Sequence, residues 1–222
     1  MIQPSRRVRP LCGGTRERYR EGGKRIMHRF AMAFIVIIIT GCAAMGVPVT
    51  FDPREKLAWA RNLYEEQDRP LPAERLIREA KDIYQSKNDE LGLALAYRQY
   101  ALFLKSRAVS RYEQHYRTTG FYDRSLSFDD RYSKSIAYLQ LSKELFIKNA
   151  KYDLLTNIDL VMGNIYLSYI GNQKEACKHY DQSLAEDQEF QKQNPNSKIN
   201  LPTGFDTYED YILSVKKEAK CP

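Results

Sequence analysis

Apolar side chains recur every three or four residues along most of the chain, and no segment shows the sustained alternation of a β-strand. Prolines at positions 70 and 72 and the Gly171-Asn172 turn interrupt the pattern between neighbouring helices. The predicted helices cover residues 54–67, 73–85, 89–107, 132–148, 153–169, 174–193 and 206–220. The sequence therefore predicts an all-α fold.

The first six predicted helices follow one another as three helical hairpins, and small residues recur at fixed places within them. Ala80, Ala94 and Gly163 stand where two helices are expected to approach most closely, because a larger side chain there would push the helices apart. The first helices carry Leu93-Ala94-x-x-Tyr97 or Met162-Gly163-x-x-Tyr166, and the second helices carry Ala73-x-x-x-Ile77-x-x-Ala80, Ala176-x-x-x-Tyr180-x-x-Ser183 or the weaker Ser135-x-x-x-Leu139-x-x-Ser142.

These motifs resemble those of tetratricopeptide (TPR) repeats. The resemblance covers most of residues 54–193 and implies a right-handed stack of about three helical hairpins, whereas a generic helical bundle is the alternative. The chain departs from the family pattern by one extra residue between Gly163 and Ala176, and by residues 109–130, which split the second hairpin. Residues 194–222 are predicted to form a loop and a C-terminal capping helix, which a repeat array needs at its end.

The insertion at residues 109–130 is rich in aromatic and charged residues. A connection of this length inside a helical hairpin is unusual and is typical of a functional segment. Tyr112, Tyr116, Phe121 and Tyr122 are therefore candidate partner contacts. The alternative is that the insertion folds back and its rings fill the groove between helices.

The apolar run from Phe30 to Ile39 follows basic residues and ends on Thr40, Gly41 and Cys42. A helix needs about 20 apolar residues to span a bilayer, so this shorter run indicates a cleaved signal. The four residues from Ile39 to Cys42 resemble the lipobox of bacterial lipoproteins. The resemblance implies cleavage before Cys42, lipid attachment to its thiol, and acyl chains, palmitate among them, that hold the protein on a membrane. An uncleaved signal anchor, or a chance cysteine after an apolar run, is the alternative.

Residues 1–41 are then a signal peptide, and residues 42–53 form a lipidated tether. Translation from Met27 would give a compact leader, with residues 1–26 an upstream extension, whereas Met1 is the alternative start. Ala43 and Ala44 follow the cysteine in place of the aspartate that marks retention at the inner membrane in enterobacteria-like sorting. The resemblance therefore implies a lipid-anchored protein on the periplasmic face of the outer membrane.

The excess of basic charge is concentrated in the leader. The 35 basic and 28 acidic residues of the chain include nine and two, respectively, before Cys42, which leaves 26 of each in the mature part. A strongly basic domain of the kind that binds nucleic acid is therefore not indicated.

Two cysteines besides Cys42 remain in the mature chain. An exported protein meets an oxidising compartment, where two cysteines far apart in sequence commonly form a disulfide. Cys177 and Cys221 are therefore a candidate disulfide pair. The alternative is that they are two unrelated thiols.

The sequence has no pattern that points to catalysis, a bound metal or a cofactor. His115 and His179 lack a second ligand at metal-binding spacing on the same helix face, and the adjacent carboxylates Glu186-Asp187 are typical of surface charge. Neither a glycine-rich phosphate loop nor a Gly-x-Ser-x-Gly motif is found in the sequence. We therefore expect no enzymatic activity, no metal and no cofactor.

Binding of a protein or peptide partner in the envelope is the expected function. In TPR proteins the first helix of each hairpin lines a concave binding face, so the resemblance makes polar residues of those helices candidates. They are Arg61, Arg98, Lys105 and Asn157, for each of which a solvated helix face is the alternative. The leading hypothesis is a scaffold that assists assembly of an envelope or secretion complex. The alternative is an immunity lipoprotein that neutralises a toxin delivered into the periplasm.

Overall fold

The computed structural model describes residues 46–47, 49–195 and 201–222, and in these ranges every regular element is a helix. The predicted signal peptide and Cys42 lie outside the described residues. The helices are α1 (Pro53–Glu65), α2 (Pro70–Ser86), α3 (Glu90–Leu104), α4 (Arg107–Arg111), α5 (Glu113–Thr118), α6 (Arg131–Lys148), α7 (Tyr152–Ile165), α8 (Gln173–Gln193) and α9 (Tyr208–Glu218), and a π-helical turn (Tyr166–Ile170) follows α7. The predicted all-α fold is confirmed.

Capping side chains set the starts of several helices. Asp52 Oδ1 accepts a hydrogen bond from the backbone N of Arg54 (2.8 Å) before α1, and Asp89 Oδ1 accepts one from the backbone N of Gly92 (2.9 Å) before α3. Helix α2 begins at Pro70, three residues earlier than predicted. Proline is tolerated there because the first turn of a helix needs no intrahelical bond from its N–H.

The six long helices before α9 pack as successive pairs, α1 with α2, α3 with α6, and α7 with α8. In the α3–α6 pair, Ser135 Oγ donates to the carbonyl of Ala101 (2.8 Å) and Ser142 Oγ donates to the carbonyl of Ala94 (2.7 Å). The earlier serine of α6 bonds to the later alanine of α3, and the later serine bonds to the earlier alanine. The two helices are therefore antiparallel. A short serine side chain reaches the neighbouring backbone only because small residues let the helices approach closely. The close approach predicted at Ala94 is confirmed.

Gly163 of α7 lies directly against Tyr180 of α8. A Cβ atom at position 163 would lie 2.4 Å from Cε1 of the tyrosine ring, closer than real Cβ contacts allow. The ring is fully buried, and its hydroxyl donates to Asn164 Oδ1 (2.9 Å). Since the ring is held at both ends, only glycine fits opposite it, which confirms the close approach predicted at this position.

Replacing Gly163 with alanine should lower the free energy of unfolding by about 1–3 kcal/mol through overpacking, even though alanine favours helices. Urea unfolding of Gly163→Ala and of the parent protein measures the difference. In a Tyr180→Ala background the same substitution should be neutral or stabilising, because the opposing ring is gone. An equal loss in both backgrounds would contradict the proposed contact.

Two short helices that the hydrophobic pattern did not predict lie at the start of the insertion: α4, which begins just before it, and α5. Each has fewer than seven residues, too few to show helical periodicity. The chain then returns to α6 through a loop at residues 119–130. Phe121, Leu126 and Phe128 of this loop are buried in one hydrophobic cluster with side chains of α1, α2 and α3.

Helix α9 packs antiparallel along the N-terminal half of α8. Its Ile212 is fully buried, and the Tyr208 hydroxyl forms a hydrogen bond with Ser183 Oγ (2.6 Å). Just beyond α9, Cys221 forms a disulfide bond with Cys177, as the sequence predicted. Within the described ranges, none of the helices combines the length and apolar character that a membrane span requires.

Candidate functional site

The rings of the insertion divide into buried and exposed groups. Tyr116 and Phe121 are only 2% and 1% exposed, and their rings stack with centroids 4.1 Å apart. They are part of the core and cannot contact a partner, which corrects their selection as candidate binding residues. Tyr112 and Tyr122 keep 38% and 43% of their surface exposed. The insertion therefore folds back on the helices with part of its rings and presents the others to solvent.

A buried glutamate, Glu74 of α2, fastens the insertion to the helices. One of its oxygens, Oε1, accepts hydrogen bonds from the backbone N of Tyr122 (2.8 Å) and from the hydroxyl of Tyr100 in α3 (2.9 Å). Glu74 is only 3% exposed to solvent. Burial raises the pKa of Glu74, although the two donated bonds oppose the rise. Glu74 thus fixes the positions of the loop and of α3 relative to α2.

An open cavity of about 210 Å³ lies between α2, α3, α6 and the insertion loop. The ring centroids of Tyr100 and Tyr138 are 4.9 Å apart, and those of Tyr97 and Tyr138 are 5.8 Å apart. We call this cavity the tyrosine cleft. Its lining comprises Glu74, Ile77, Arg78, Lys81, Tyr97, Tyr100, Tyr122, Asp123 and Tyr138.

Charged groups of both signs line the tyrosine cleft. The guanidinium of Arg78 lies over the ring of Tyr122, 4.2 Å from its centroid, which is a cation–π contact. Asp123 Oδ2 accepts a hydrogen bond from the hydroxyl of Tyr138 (2.6 Å). Lys81 follows Arg78 by three residues along α2, so the two cations lie on neighbouring turns of the same helix face.

A second cavity, of about 280 Å³, lies beside the first and is lined in part by His115, Thr119 and Arg124. Glu74 and Tyr122 line both cavities. The contact between these two residues therefore forms part of the wall of each cavity, and a change at Glu74 would alter both.

The polar candidates on the first helix of each hairpin lie outside the tyrosine cleft. The guanidinium of Arg98 donates to Asn157 Oδ1 and so connects α3 to α7, and burial lowers the pKa of Arg98. Arg61 Nε donates to Glu65 Oε2 (2.8 Å) within α1. Burial also lowers the pKa of Lys105. None of these candidates lines the tyrosine cleft, and their role in partner binding stays a prediction.

A buried group of charged residues connects α6, α7 and α8, and the sequence reasoning missed it. Lys143 Nζ lies 2.5 Å from Asp159 Oδ2 and 2.8 Å from Glu186 Oε1, and His179 Nδ1 lies 2.8 Å from Asp159 Oδ1. Burial disfavours the charge on Asp159, but its hydrogen bonds to His179 and Lys143 outweigh this and lower its pKa. We call these four residues the buried charge cluster.

The two carboxyl groups of the buried charge cluster share one lysine. Asp159 also contacts His179, so the burial of Glu186 is offset by fewer hydrogen bonds than that of Asp159. Burial raises the pKa of Glu186 to about 7, although the hydrogen bond from Lys143 opposes the rise. Its second oxygen, Oε2, is buried without a hydrogen-bond partner among the described residues. Glu186 is therefore expected to bind a proton in the folded protein at mildly acidic pH.

This proton should make stability depend on pH. A carboxyl group whose folded pKa is raised binds more protons in the folded than in the unfolded chain, so stability falls as pH rises between the two pKa values. From about pH 4.5 to about pH 8, the parent protein should lose on the order of 3 kcal/mol of unfolding free energy relative to Glu186→Gln, which cannot titrate. Urea unfolding of both proteins at several pH values measures this. Parallel pH profiles for the two proteins would contradict the assignment.

Signals for the missed residues were present but weak. Asp159 stands inside the apolar run Ile158–Met162, and Lys143 lies between the inward-facing Ser142 and Phe146, so both interrupt a buried face. Glu74 adjoins the apolar stripe of α2 in the same way. A charged residue on a buried helix face predicts a buried partner, but the sequence does not identify that partner.

Comparison of the chain with models of known protein families, with curated proteins and with solved structures gives no match.

Proposed function

We propose that this protein is a lipid-anchored, TPR-like scaffold on the periplasmic face of the outer membrane, which binds a segment of a partner protein during assembly of an envelope or secretion complex. The observation that carries the binding role is the tyrosine cleft, in which residues from α2, α3, α6 and the insertion converge on one open cavity. The partner is a protein or peptide, and the binding needs no cofactor.

The composition of the tyrosine cleft favours binding. Tyrosine combines a large apolar ring with a polar hydroxyl and is enriched at protein interfaces and among their energetic hot spots. The rings here are held by contacts within the protein: Tyr100 by Glu74, and Tyr138 by Asp123. Side chains that are already ordered lose little conformational freedom when a partner binds, which favours affinity.

A TPR-like arrangement is supported by the paired helices and by the small residues between them. Gly163 faces Tyr180 across the α7–α8 pair, as the glycine and the large residue of the family motif would. Ala94 and Ser142 lie at the close approach of the α3–α6 pair. In such an array the insertion is an addition to the second repeat, and it contributes Tyr122 and Asp123 to the cleft.

The lipid anchor is supported by the lipobox-like residues Ile39 to Cys42 and by the disulfide between Cys177 and Cys221. Structural disulfides persist in exported proteins and are rare in the reducing cytosol. Helix α1 begins at Pro53, so about ten residues separate it from Cys42 and would act as a tether of at most about 35 Å.

Intact-mass measurement of the membrane-extracted protein tests the anchor. The expected species begins at Cys42, carries the added mass of acyl chains, and partitions into detergent. The matched control is Cys42→Ser, which should be neither acylated nor cleaved at this position. A parent protein that begins upstream of Cys42, or that lacks acyl mass, would contradict the lipid anchor.

A further inference from the structure

The carboxylates of the tyrosine cleft are engaged by donors of the protein itself. Glu74 receives the backbone N–H of Tyr122 and the hydroxyl of Tyr100, and Asp123 receives the hydroxyl of Tyr138 and the backbone N–H of Ser125 (3.0 Å). A cationic ligand group would have to compete with these donors. The acidic residues of the cleft therefore serve to hold its walls in place.

The cations of the cleft are not paired with a group of opposite charge in the described ranges. Neither Arg78 nor Lys81 forms an ion pair with any residue in the described ranges. The ring of Tyr122 supports one face of the Arg78 guanidinium, which leaves the N–H groups at its edge able to donate to an anion. Lys81 lies one helical turn further along α2, close enough for one carboxylate to contact both cations.

The remaining wall of the cleft is aromatic and apolar. Tyr97, Tyr100 and Tyr138 form it together with the buried Ile77. The volume of about 210 Å³ lies below the range of roughly 300–1,000 Å³ that encloses a drug-sized ligand. The cavity is open to solvent, so it suits a single large side chain of a chain segment that crosses its mouth.

We infer that the tyrosine cleft binds an acidic peptide segment, with an Asp or Glu carboxylate between Arg78 and Lys81 and a neighbouring aromatic or large aliphatic side chain against Tyr97 and Tyr138. This inference rests on the proposed function, because it specifies the chemistry of the partner that the cleft receives. Charge complementarity selects the carboxylate, and the tyrosine wall selects the large side chain.

Selection from a displayed library of random dodecapeptides tests the inference, with the full chain in detergent as the bait. The Tyr97→Ala variant serves as the counter-selection, so that only peptides that need the cleft are kept. The expected outcome is enrichment of peptides that carry an acidic residue close to an aromatic or large aliphatic one. Enrichment of cleft-dependent peptides without acidic residues would overturn the acidic specificity and leave the proposed function standing. Failure to enrich any cleft-dependent peptide would overturn both.

Charge reversal at the two cations of the tyrosine cleft gives the quantitative test, with a peptide enriched in the selection as the ligand. The double variant Arg78→Glu, Lys81→Glu should bind the fluorescently labelled peptide at least about tenfold more weakly, because like charges then face each other. The matched control is Lys87→Glu with Arg107→Glu, two exposed cations outside the cleft, which changes net charge equally and should leave affinity within about twofold of the parent. Circular dichroism confirms that both variants are folded. Equal weakening in the two variants would overturn the inference, since the effect would then be one of net charge.

Discussion

Replacing Lys143 with methionine should lower the free energy of unfolding by about 3–5 kcal/mol, the usual effect of removing one partner of a buried ion pair. Among the residues that the structure describes, Lys143 is the cation that contacts both Asp159 and Glu186, and Asp159 is completely buried. Methionine keeps the length of the side chain but leaves two carboxyl groups close together without the ammonium group that contacts both. Urea or guanidinium unfolding measures the loss, which should be smaller at acidic pH, where the carboxyl groups bind protons.

The matched control for this substitution lies on the same helix. Lys148 of α6 pairs with Glu90 at the surface, where their side chains are 64% and 39% exposed, respectively. Lys148→Met should therefore change stability by less than about 1 kcal/mol, as is usual for surface ion pairs. A Lys143→Met protein that is no less stable than Lys148→Met would show that the buried charge cluster does not stabilise the packing of α6, α7 and α8.

Removing the disulfide with Cys177→Ser and Cys221→Ser should lower the free energy of unfolding by about 2–4 kcal/mol. The two cysteines are 44 residues apart, so the bond restricts a long loop in the unfolded chain. The C-terminal segment keeps other contacts in the variant, including the hydrogen bonds from Gln173 Nε2 to the carbonyls of Ala219 (2.9 Å) and Lys220 (2.8 Å). We therefore expect the double-serine protein to fold and to unfold at a lower denaturant concentration.

A reductant separates the effect of the bond from that of the serines. Dithiothreitol should lower the stability of the parent protein to that of the double-serine variant and leave the variant unchanged. If the oxidised parent and the variant unfold at the same denaturant concentration, the disulfide contributes nothing to stability, contrary to this account.

The helices and the disulfide could be predicted because their signals are local or easily counted. The apolar periodicity of residues 54–65 or 174–193 lies within one element, and one cysteine pair remained once Cys12 was assigned to the signal peptide and Cys42 to the lipid. Gly163 and Ala94 could be predicted as close contacts because small residues inside an otherwise large-residue stripe indicate a neighbouring helix.

The tyrosine cleft could not be predicted because it is assembled from residues far apart in sequence. Glu74 contacts Tyr122, which lies 48 residues away, and the sequence contains no signal for that pairing. The sequence showed that the insertion is rich in aromatic residues, but not which of their side chains face the core and which face solvent. Tyr116 of α5 and Phe121 of the loop that follows it stack inside the core, whereas the adjacent Tyr122 faces the cleft. Short helices such as α4 and α5 lack the length at which periodicity shows which face is buried.

The buried charge cluster illustrates a different limit. Glu186 and Asp187 stand next to each other in a polar stretch, and such a pair is usually solvated. Helix α8 turns Glu186 towards Lys143 because Ser183, one turn earlier, and Tyr180, two turns earlier, are buried against α7. The orientation of a charged side chain is thus set by the apolar residues on the same face, and the identity of its partner by the packing of three helices.

Binding of a partner protein in the cell envelope is the role that we propose for the tyrosine cleft. Its most direct test is photocrosslinking in the native cells, with benzoylphenylalanine in place of Tyr97 and, as the control position, in place of the exposed Gln188 of α8. The account predicts a discrete crosslinked protein from position 97 that is absent from position 188 and is lost when Arg78→Glu and Lys81→Glu are added. No crosslink from position 97, or the same crosslink from both positions, would contradict it.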